Sequence, residues 1–269
     1  MSQPGTWCSA WYGILGVTVF SFAMGCAARA DETQSSATLT QEPVKDPTRP
    51  LPPLSADWKA LGSEQSRTRV WIHPKKKQVA VDGEVCLPKG YLEMFACIEN
   101  SKEHESIVAL KSKAYVIHTA LLAVGAKPGA PASFQPEYTP ASGTTIEVFV
   151  EWMDKDQSKR VKAQQWIRDL KTQKAMEHDW VFAGSSLWKD PETGKSYYRA
   201  EGGDLICVSN FPTAMMDLPI QSSQANDELA FEAFSEHIPP RGTPVRLYLV
   251  PQFEGPSAGR KDVGHDPPK

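Results

Sequence analysis

A short charged run, Lys102-Glu103-His104-Glu105, follows Cys97 and precedes His118, and it is the densest group of potentially reactive side chains in the sequence. Thiolate, imidazole and carboxylate groups are the ligands that zinc prefers. We therefore expect a site for a zinc-like divalent metal here, although the spacings match no standard zinc finger. Core cysteines, a half-buried histidine and a solvated charged loop would explain the same residues without a metal. The candidate ligands are Cys97, His104, His118 and Glu105, with Glu103 or Cys86 as alternatives in the fourth position.

The same region also allows an enzyme interpretation, in which His104 is the base of a hydrolytic or thiol enzyme. Such a site needs a nucleophile beside the histidine and a carboxylate that orients the ring. The segment around Ser185 lacks the G-x-S-x-G pattern of hydrolases, and serine after glycine is typical of turns. We therefore assign no catalytic residue. The candidate nucleophiles are Cys97, Ser185 and Ser186, and the candidate orienting carboxylates are Glu105 and Asp204.

Three cysteines, Cys86, Cys97 and Cys207, follow the N-terminal region. An odd number means that at least one thiol is unpaired within the chain. A hairpin predicted at residues 88–90 places Cys86 and Cys97 on facing strands but not opposite each other. A disulfide between these two residues is therefore not expected.

Strand patterns dominate the elements that must position these side chains. Residues 69–73 and 78–81 have the pattern of a hairpin, and residues 144–152 alternate apolar and polar side chains as a half-buried strand does. Strand patterns recur at residues 106–110, 180–183, 196–200, 205–209, 229–234 and 245–250.

One helix is predicted over residues 113–124, between a Ser112 cap and Gly125, and it carries His118. Shorter helices are expected at residues 163–170 and 213–216. The predicted fold class is α+β: a single strand-rich domain with a mostly antiparallel sheet and a few helices.

The N-terminus has the features of an export signal. Residues 7–28 carry no charged side chain, and residues 14–24 have the length of a signal-peptide core. Gly25-Cys26 resembles the lipobox of bacterial lipoproteins, in which cleavage follows Gly25 and Cys26 is acylated. Cleavage after Ala30, or an uncleaved membrane anchor, are the alternatives. We expect an exported, periplasmic or cell-envelope protein that reaches the membrane through a lipid anchor if Cys26 is acylated.

The rest of the chain divides by composition. We expect a leader at residues 1–30, a disordered Pro/Ser/Thr-rich tether at 31–57, a globular domain at 58–252 and a disordered tail at 253–269. The 269 residues carry a formal charge of −3. This weak acidity gives no electrostatic surface for nucleic acid, so nucleic-acid binding is not expected.

Several segments resemble the YdjY-domain family, which is abundant among exported proteins of planctomycete-type bacteria. The resemblance runs from about Arg69 to Pro251, and it implies no settled activity. Some relatives have been described as ferredoxin-like, but this chain has no C-x2-C-x2-C run for an iron–sulfur cluster. The segments that carry the resemblance are Val81-Asp82-Gly83, Leu92-Glu93, Phe95-Ala96-Cys97, Lys102-Glu103-His104-Glu105-Ser106, residues 118–126, Gly203-Asp204-Leu205-Ile206, Ser209-Asn210-Phe211 and Met216-Asp217-Leu218-Pro219.

The function expected from the sequence is thus an envelope domain that binds a small molecule or a protein partner, with or without a metal. The alternative is the hydrolytic or thiol enzyme centred on His104. The two differ in what they require of the fold. An enzyme needs a nucleophile within hydrogen-bonding reach of His104, whereas a binding module needs a concave surface.

Overall fold

The computed structural model describes residues 49–62, 68–222 and 230–253. These ranges contain fifteen strands, one α-helix and two short 3₁₀ helices. The strands are β1 Lys59–Leu61, β2 Val70–His73, β3 Gln78–Val85, β4 Met94–Ile98, β5 Ser106–Leu110, β6 Thr145–Asp154, β7 Gln157–Lys162, β8 Ile167–Asp169, β9 Trp180–Phe182, β10 Leu187–Lys189, β11 Ser196–Tyr198, β12 Ile206–Cys207, β13 Met216–Asp217, β14 Phe231–Ala233 and β15 Pro244–Pro251. The helices are α1 Ala114–Ala123, and the 3₁₀ turns Ala163–Trp166 and Arg199–Gly202.

Eight of the strands close into a barrel. Their order is β3, β15, β6, β9, β13, β12, β4 and β5, and β5 pairs back onto β3. The pairs β4–β5 and β12–β13 are parallel, and the other neighbours around the barrel are antiparallel. Strands β1 and β2 extend the sheet beside β3, and β7 extends it beside β6. Closure leaves the eight barrel strands paired on both edges.

The alternating pattern that predicted a strand at residues 144–152 forms β6. Along it Val148 and Val150 are fully buried, whereas the side chains between them are partly exposed. In the register with β15 these valines pair with Leu249 and Leu247, which are also fully buried. Each such cross-strand pair places apolar side chains on the core face, and this is what specifies the register.

The predicted α+β class is wrong. The fold is essentially all-β, with 38% of the described residues in strands and 9% in helices. The helix expected at residues 163–170 is a single 3₁₀ turn, after which Ile167 enters β8 and pairs with Ala233. The one expected at residues 213–216 is a turn that leads into β13. Segments this short have too few internal hydrogen bonds to hold a helix, so the pairing with neighbouring strands decides their structure.

The predicted hairpin at residues 88–90 is also wrong. Strand β3 continues through Gly83 to Val85, and it pairs with β5 rather than with β4. A Cβ atom on Gly83 would lie 2.4 Å from the carbonyl oxygen of Ala109, so only glycine allows this close approach. Strand β5 therefore separates β3 from β4.

Helix α1 was predicted within one residue at each end. It packs on β2 and β3 through a buried face of Ala114, Ile117, Ala120 and Leu121. Gly125 follows it with a φ of +95°, the left-handed conformation that ends many helices. Among the described residues, no helix has both the length and the apolar character needed to cross a membrane.

Residues 50–55, which the sequence analysis assigned to the tether, lie against the barrel. The Arg246 guanidinium donates a hydrogen bond of 2.7 Å to the carbonyl oxygen of Pro52 and pairs with Asp82 at 2.6 Å. Trp58 follows and packs edge-on against His73 and Tyr248. The proline-rich segment is thus fixed to strands β2, β3 and β15.

Candidate functional site

A cavity of about 330 Å³ lies between α1 and the loop that leads into β10. Every side chain that lines it is uncharged when the histidine is neutral. Its wall combines aromatic and aliphatic surface with hydroxyl groups and one imidazole. The lining residues are Tyr115, His118 and Thr119 of α1, residues 184–187 and Tyr198 of β11.

Helix geometry places the α1 side chains at this cavity. Tyr115, His118 and Thr119 are spaced by three and four residues, so they share one face of the helix. This face adjoins the one that is buried against the barrel. Tyr115 is 56% exposed and stands at the rim.

The opposite wall is a tight turn. Gly184 has a φ of +90°, and Ser185 has a φ of +57°, which few residues with a side chain adopt. The Ser185 hydroxyl donates a 2.6 Å hydrogen bond to the carbonyl oxygen of Thr213, and Gly184 N donates to Met215 O. These bonds attach the turn to the segment before β13, so the wall is supported by the barrel.

His118 and Tyr198 form the polar centre of the cavity. His118 Nδ1 lies 2.8 Å from the Tyr198 hydroxyl, which also donates to the carbonyl oxygen of Gly184 at 3.0 Å. The His118 ring packs edge-on against Phe182 and Tyr198. Burial lowers the pKa of His118, although the nearby Gly184 carbonyl raises it by a smaller amount. Burial also raises the pKa of Tyr198. Both side chains are therefore uncharged at neutral pH.

Apolar side chains surround the mouth of the cavity. Leu187 is 71% exposed at its edge. In the adjoining hairpin of β10 and β11, Trp188 packs against Tyr197, and both are about half exposed. Exposed apolar surface beside a cavity is typical of ligand-binding sites.

A second polar feature is centred on Lys102. Its Nζ lies 3.0 Å from Asp204, 3.3 Å from Glu105 and 4.0 Å from Glu93, and it lies over the ring of Phe211. The three carboxylates come from the start of β4, the β4–β5 loop and the loop before β12. In the described part of the chain, Lys102 is the one lysine or arginine that pairs with these three carboxylates, and all four side chains are largely buried.

The pKa values in this Lys102 cluster reflect the excess of carboxylates over cations. Burial acts to lower the pKa of Lys102, but the hydrogen bond and charge of Asp204 outweigh it, so the net shift is upward. Burial raises the pKa of Glu93, and the neighbouring Glu105 carboxylate raises it further. Thr213 donates a hydrogen bond to Asp204. The cluster ties three loops of the barrel together, and segments that carry the family resemblance meet in it.

The structure does not bring the four predicted metal ligands together. His104 is exposed, with 77% of its side chain accessible, and its Nε2 lies 3.8 Å from the Glu105 carboxylate. Glu105 belongs to the Lys102 cluster, and His118 belongs to the cavity. In the part of the chain that the structure describes, no group of three or more histidine, cysteine, aspartate and glutamate side chains is arranged to hold a metal ion.

Cys97 is fully buried and packs with Cys86 and Ala109. Both thiols are free. The Cys86 thiol lowers the pKa of Cys97 by hydrogen bonding, and the same interaction raises the pKa of Cys86. Cys86 Sγ also lies 3.0 Å from the carbonyl oxygen of Ser106. The alternative ligand Glu103 accepts a hydrogen bond from the backbone N–H of Asn100.

The candidate nucleophiles Ser185 and Ser186 lie in the cavity with His118 rather than with His104. The sequence therefore identified the histidine and the two serines of the cavity as candidates, but it did not predict that they lie in the same site. It missed Tyr198, Tyr115, Thr119 and Leu187. The strand predicted at residues 196–200 gave one indication that Tyr198 is buried. Neighbouring residues of a strand face opposite sides, so only one of Tyr197 and Tyr198 can point outward.

A second and larger cavity, of about 520 Å³, lies between residues 50–55 and the barrel. Its wall includes Arg69, Lys111, Arg246 and Asp82. Arg246 and Asp82 are already paired with each other, and Arg246 also holds Pro52. The buried ion pair of this cavity therefore holds the chain itself, in contrast to the polar groups of the cavity at His118.

Comparison with known proteins gives one match. The family model of the YdjY domain matches residues 70–250, which include the barrel up to the last residue of β15, α1 and both walls of the cavity at His118. No curated protein and no solved structure matches the chain.

Proposed function

The chain belongs to the YdjY domain family, whose function is unassigned, and we propose that its barrel is a binding module for a small uncharged molecule. The site is the cavity between α1 and the 184–187 turn. The observation that carries this proposal is the composition of the cavity wall, in which aromatic, aliphatic and hydroxyl groups converge without a charged side chain.

The size and support of the cavity favour this function. Sites for small molecules are concave, largely pre-formed and mostly apolar, with a few polar groups that orient the ligand, and they occupy roughly 300–1,000 Å³. The cavity lies at the lower end of this range. Its walls are fixed by the Ser185–Thr213 and Gly184–Met215 hydrogen bonds and by the buried face of α1. Little ordering is then needed on binding, and this favours affinity.

The absence of charge from the wall decides the ligand class. An ionised carboxylate or ammonium group in this cavity would leave water without meeting an opposite charge on a lining side chain, and such burial is costly. The Glu201 carboxylate beside the cavity is already bonded to the backbone N–H of Tyr115. An uncharged ligand meets no such penalty. It would place an apolar part against Tyr115 and Leu187, and a polar part near His118 and the serine hydroxyls.

We do not propose the enzyme centred on His104. An enzyme requires its base and nucleophile within hydrogen-bonding distance. His104 is exposed beside Glu105, whereas Cys97 is buried against Cys86 and the two serines line the cavity at His118.

We further propose that the domain acts outside the cytoplasm as a lipid-anchored protein of the cell envelope. The support is the uncharged segment at residues 7–28 and the Gly25-Cys26 pair, which lie outside the described residues. A Cys26→Ser variant should lose incorporation of labelled palmitate in bacterial cells, whereas Cys8→Ser should keep it. Equal labelling of both variants, or a lack of labelling in the unmodified chain, would contradict the lipid anchor.

Three probes of the same shape test the proposed site: benzamide is neutral, benzoate is an anion and benzamidine is a cation. Benzamide should shift the backbone amide resonances of Thr119 and Ser186 in NMR spectra, and the two charged probes should bind more weakly. Preferred binding of benzoate or benzamidine would contradict the assignment of ligand class.

Two variants of α1 provide a matched pair for this experiment. A Thr119→Trp substitution fills the mouth of the cavity and should weaken benzamide binding about tenfold or more, whereas Leu122→Trp lies on the same helix outside the cavity and should leave it unchanged. Thermal unfolding and the dispersion of the amide resonances show whether both variants are folded. An equal effect of the two substitutions would place the binding elsewhere.

A further inference from the structure

The hydrogen bonds around Tyr198 determine which nitrogen of His118 carries a proton. The Tyr198 hydroxyl has a single hydrogen, and the carbonyl oxygen of Gly184, 3.0 Å away, can only accept. When that hydrogen is donated to Gly184, the tyrosine oxygen must accept the 2.8 Å bond from His118 Nδ1. Nδ1 therefore carries the proton of the neutral ring.

The second nitrogen, Nε2, is then an acceptor. A neutral imidazole has one N–H and one lone pair. Among the described residues, Tyr198 bonds to Nδ1, and the Gly184 carbonyl near the ring can only accept, so it cannot pair with an unprotonated Nε2. The ring is half-buried and lines the cavity, so this acceptor is available to a ligand.

We propose that His118 Nε2 accepts a hydrogen bond from the bound molecule, so that the cavity selects uncharged ligands that present an N–H or O–H donor. This inference rests on the proposed function and adds the chemistry of the ligand to it. Amides, alcohols and phenols belong to the selected class, whereas esters and ethers of the same shape do not. A ligand without a donor leaves Nε2 desolvated and unpaired, and that is why the discrimination can be large.

The groups around His118 also set how binding depends on pH. Tyr198 of β11 faces the ring, Phe182 packs on it from β9, and Glu201 accepts a hydrogen bond from the backbone N–H of Tyr115 at the start of α1. Protonation of Nε2 replaces the acceptor by a donor and a charge. Binding of a donor ligand should therefore be constant above neutral pH and be lost on acidification, below the ordinary histidine range, because burial lowers the pKa of His118.

The protonation state can be measured without any ligand. Long-range ¹H–¹⁵N correlation spectra of the imidazole rings distinguish the two neutral forms at pH 8. His118 should show the Nδ1–H form. His73 provides an internal reference for the opposite form, because its Nδ1 accepts a hydrogen bond from the backbone N–H of Lys76. A Tyr198→Phe variant should lose the preference at His118, whereas Tyr197→Phe should keep it.

Binding is tested with N-methylbenzamide and methyl benzoate, which share a shape and differ in an N–H group. The amide should bind at least about fivefold more tightly, and Tyr198→Phe should reduce this difference. If His118 shows the Nε2–H form, or if both probes bind equally well, this inference is wrong and the binding site stands. If neither probe binds, and if Thr119→Trp and Leu122→Trp have the same effect on benzamide binding, the proposed function is wrong. This inference is then wrong as well.

Discussion

His118 Nδ1 lies 2.8 Å from the hydroxyl oxygen of Tyr198, a residue 80 positions further along the chain. The contact joins the single α-helix of the described residues to the β10–β11 hairpin. Because Tyr198 also donates to Gly184 O, one phenol fixes three segments that line the cavity. The shape of the cavity and the protonation of its histidine therefore depend on the same side chain.

Removal of the Tyr198 hydroxyl should destabilise the protein. In Tyr198→Phe, the His118 N–H and the Gly184 carbonyl both lose their partner, and we expect the free energy of unfolding to fall by about 1–3 kcal/mol. Tyr197→Phe is the matched control, since Tyr197 is about half exposed and its ring packs against Trp188 at the surface. Urea denaturation of both variants measures the difference. Equal midpoints would show that the hydroxyl has no structural role.

A methyl group at Gly143 should be far more harmful than one at Gly202. Gly143 has a φ of +137°, and a Cβ atom there would lie 2.1 Å from the carbonyl oxygen of Phe182, which is backbone and cannot move away cheaply. We expect Gly143→Ala to lower the free energy of unfolding by roughly 3 kcal/mol or more. Gly202 has open space around it, so Gly202→Ala should change stability by less than about 1 kcal/mol. A Gly143→Ala variant as stable as Gly202→Ala would contradict the close approach of the two segments.

Loss of the cation from the Lys102 cluster should destabilise the fold in a pH-dependent way. Lys102→Met leaves Glu93, Glu105 and Asp204 close together without a counterion, and we expect a loss of about 2 kcal/mol at pH 8. Lys111 pairs with Glu84 on the surface at 2.8 Å, so Lys111→Met should cost no more than about 1 kcal/mol.

The sign of this pH dependence follows from the carboxyl groups. The pKa of Glu93 is already raised by burial and by the neighbouring carboxylate, and loss of the Lys102 charge raises it further. The penalty is therefore absent where this carboxyl is protonated in both the folded and the unfolded state, and it grows as the pH rises through the folded-state pKa. The deficit of Lys102→Met should therefore be small near pH 4 and largest at pH 8. A deficit that is independent of pH would show that packing rather than charge is lost.

The thiols of Cys86 and Cys97 should stay free under mild oxidation, although their side chains belong to one cluster. Strand β5 separates β3 from β4, and two strand spacings amount to roughly 9–10 Å, more than the Cα separation of about 7 Å that a disulfide allows. Thiol titration in denaturant, after air oxidation of the native protein, should count both thiols as reduced. A Cys86–Cys97 disulfide in the peptide map would contradict this register. The native thiols should react slowly, because Cys97 is fully buried.

The sequence predicted local structure better than it predicted the fold. Helix α1 and strand β6 follow from periodicity, which is a local signal. The closure of the barrel does not, because it depends on the pairing of β5 with β3 and on the parallel pairs β4–β5 and β12–β13. An Asp-Gly pair is typical of turns, yet β3 runs through Asp82 and Gly83, and glycine is required there by the close approach of β5.

The candidate site shows the same limit. His118 and Ser185 were predicted as residues able to carry chemistry, but each was grouped with His104 rather than with the other. The charged run was therefore grouped with His118, whereas the fold directs Lys102 and Glu105 into an ion-pair cluster and leaves His104 in solvent. Tyr198 and Leu187 could not be assigned to the site before the path of the β10–β11 hairpin was known.

The most direct test of the account is to locate bound benzamide on the protein. Intermolecular nuclear Overhauser effects between the benzamide ring protons and the side chains of Leu187 and Tyr115 would place the ligand in the cavity at His118. The account predicts these contacts and their loss in Thr119→Trp. Contacts to Trp58 and Trp71 instead would place the ligand in the larger cavity beneath residues 50–55, and would contradict the central claim.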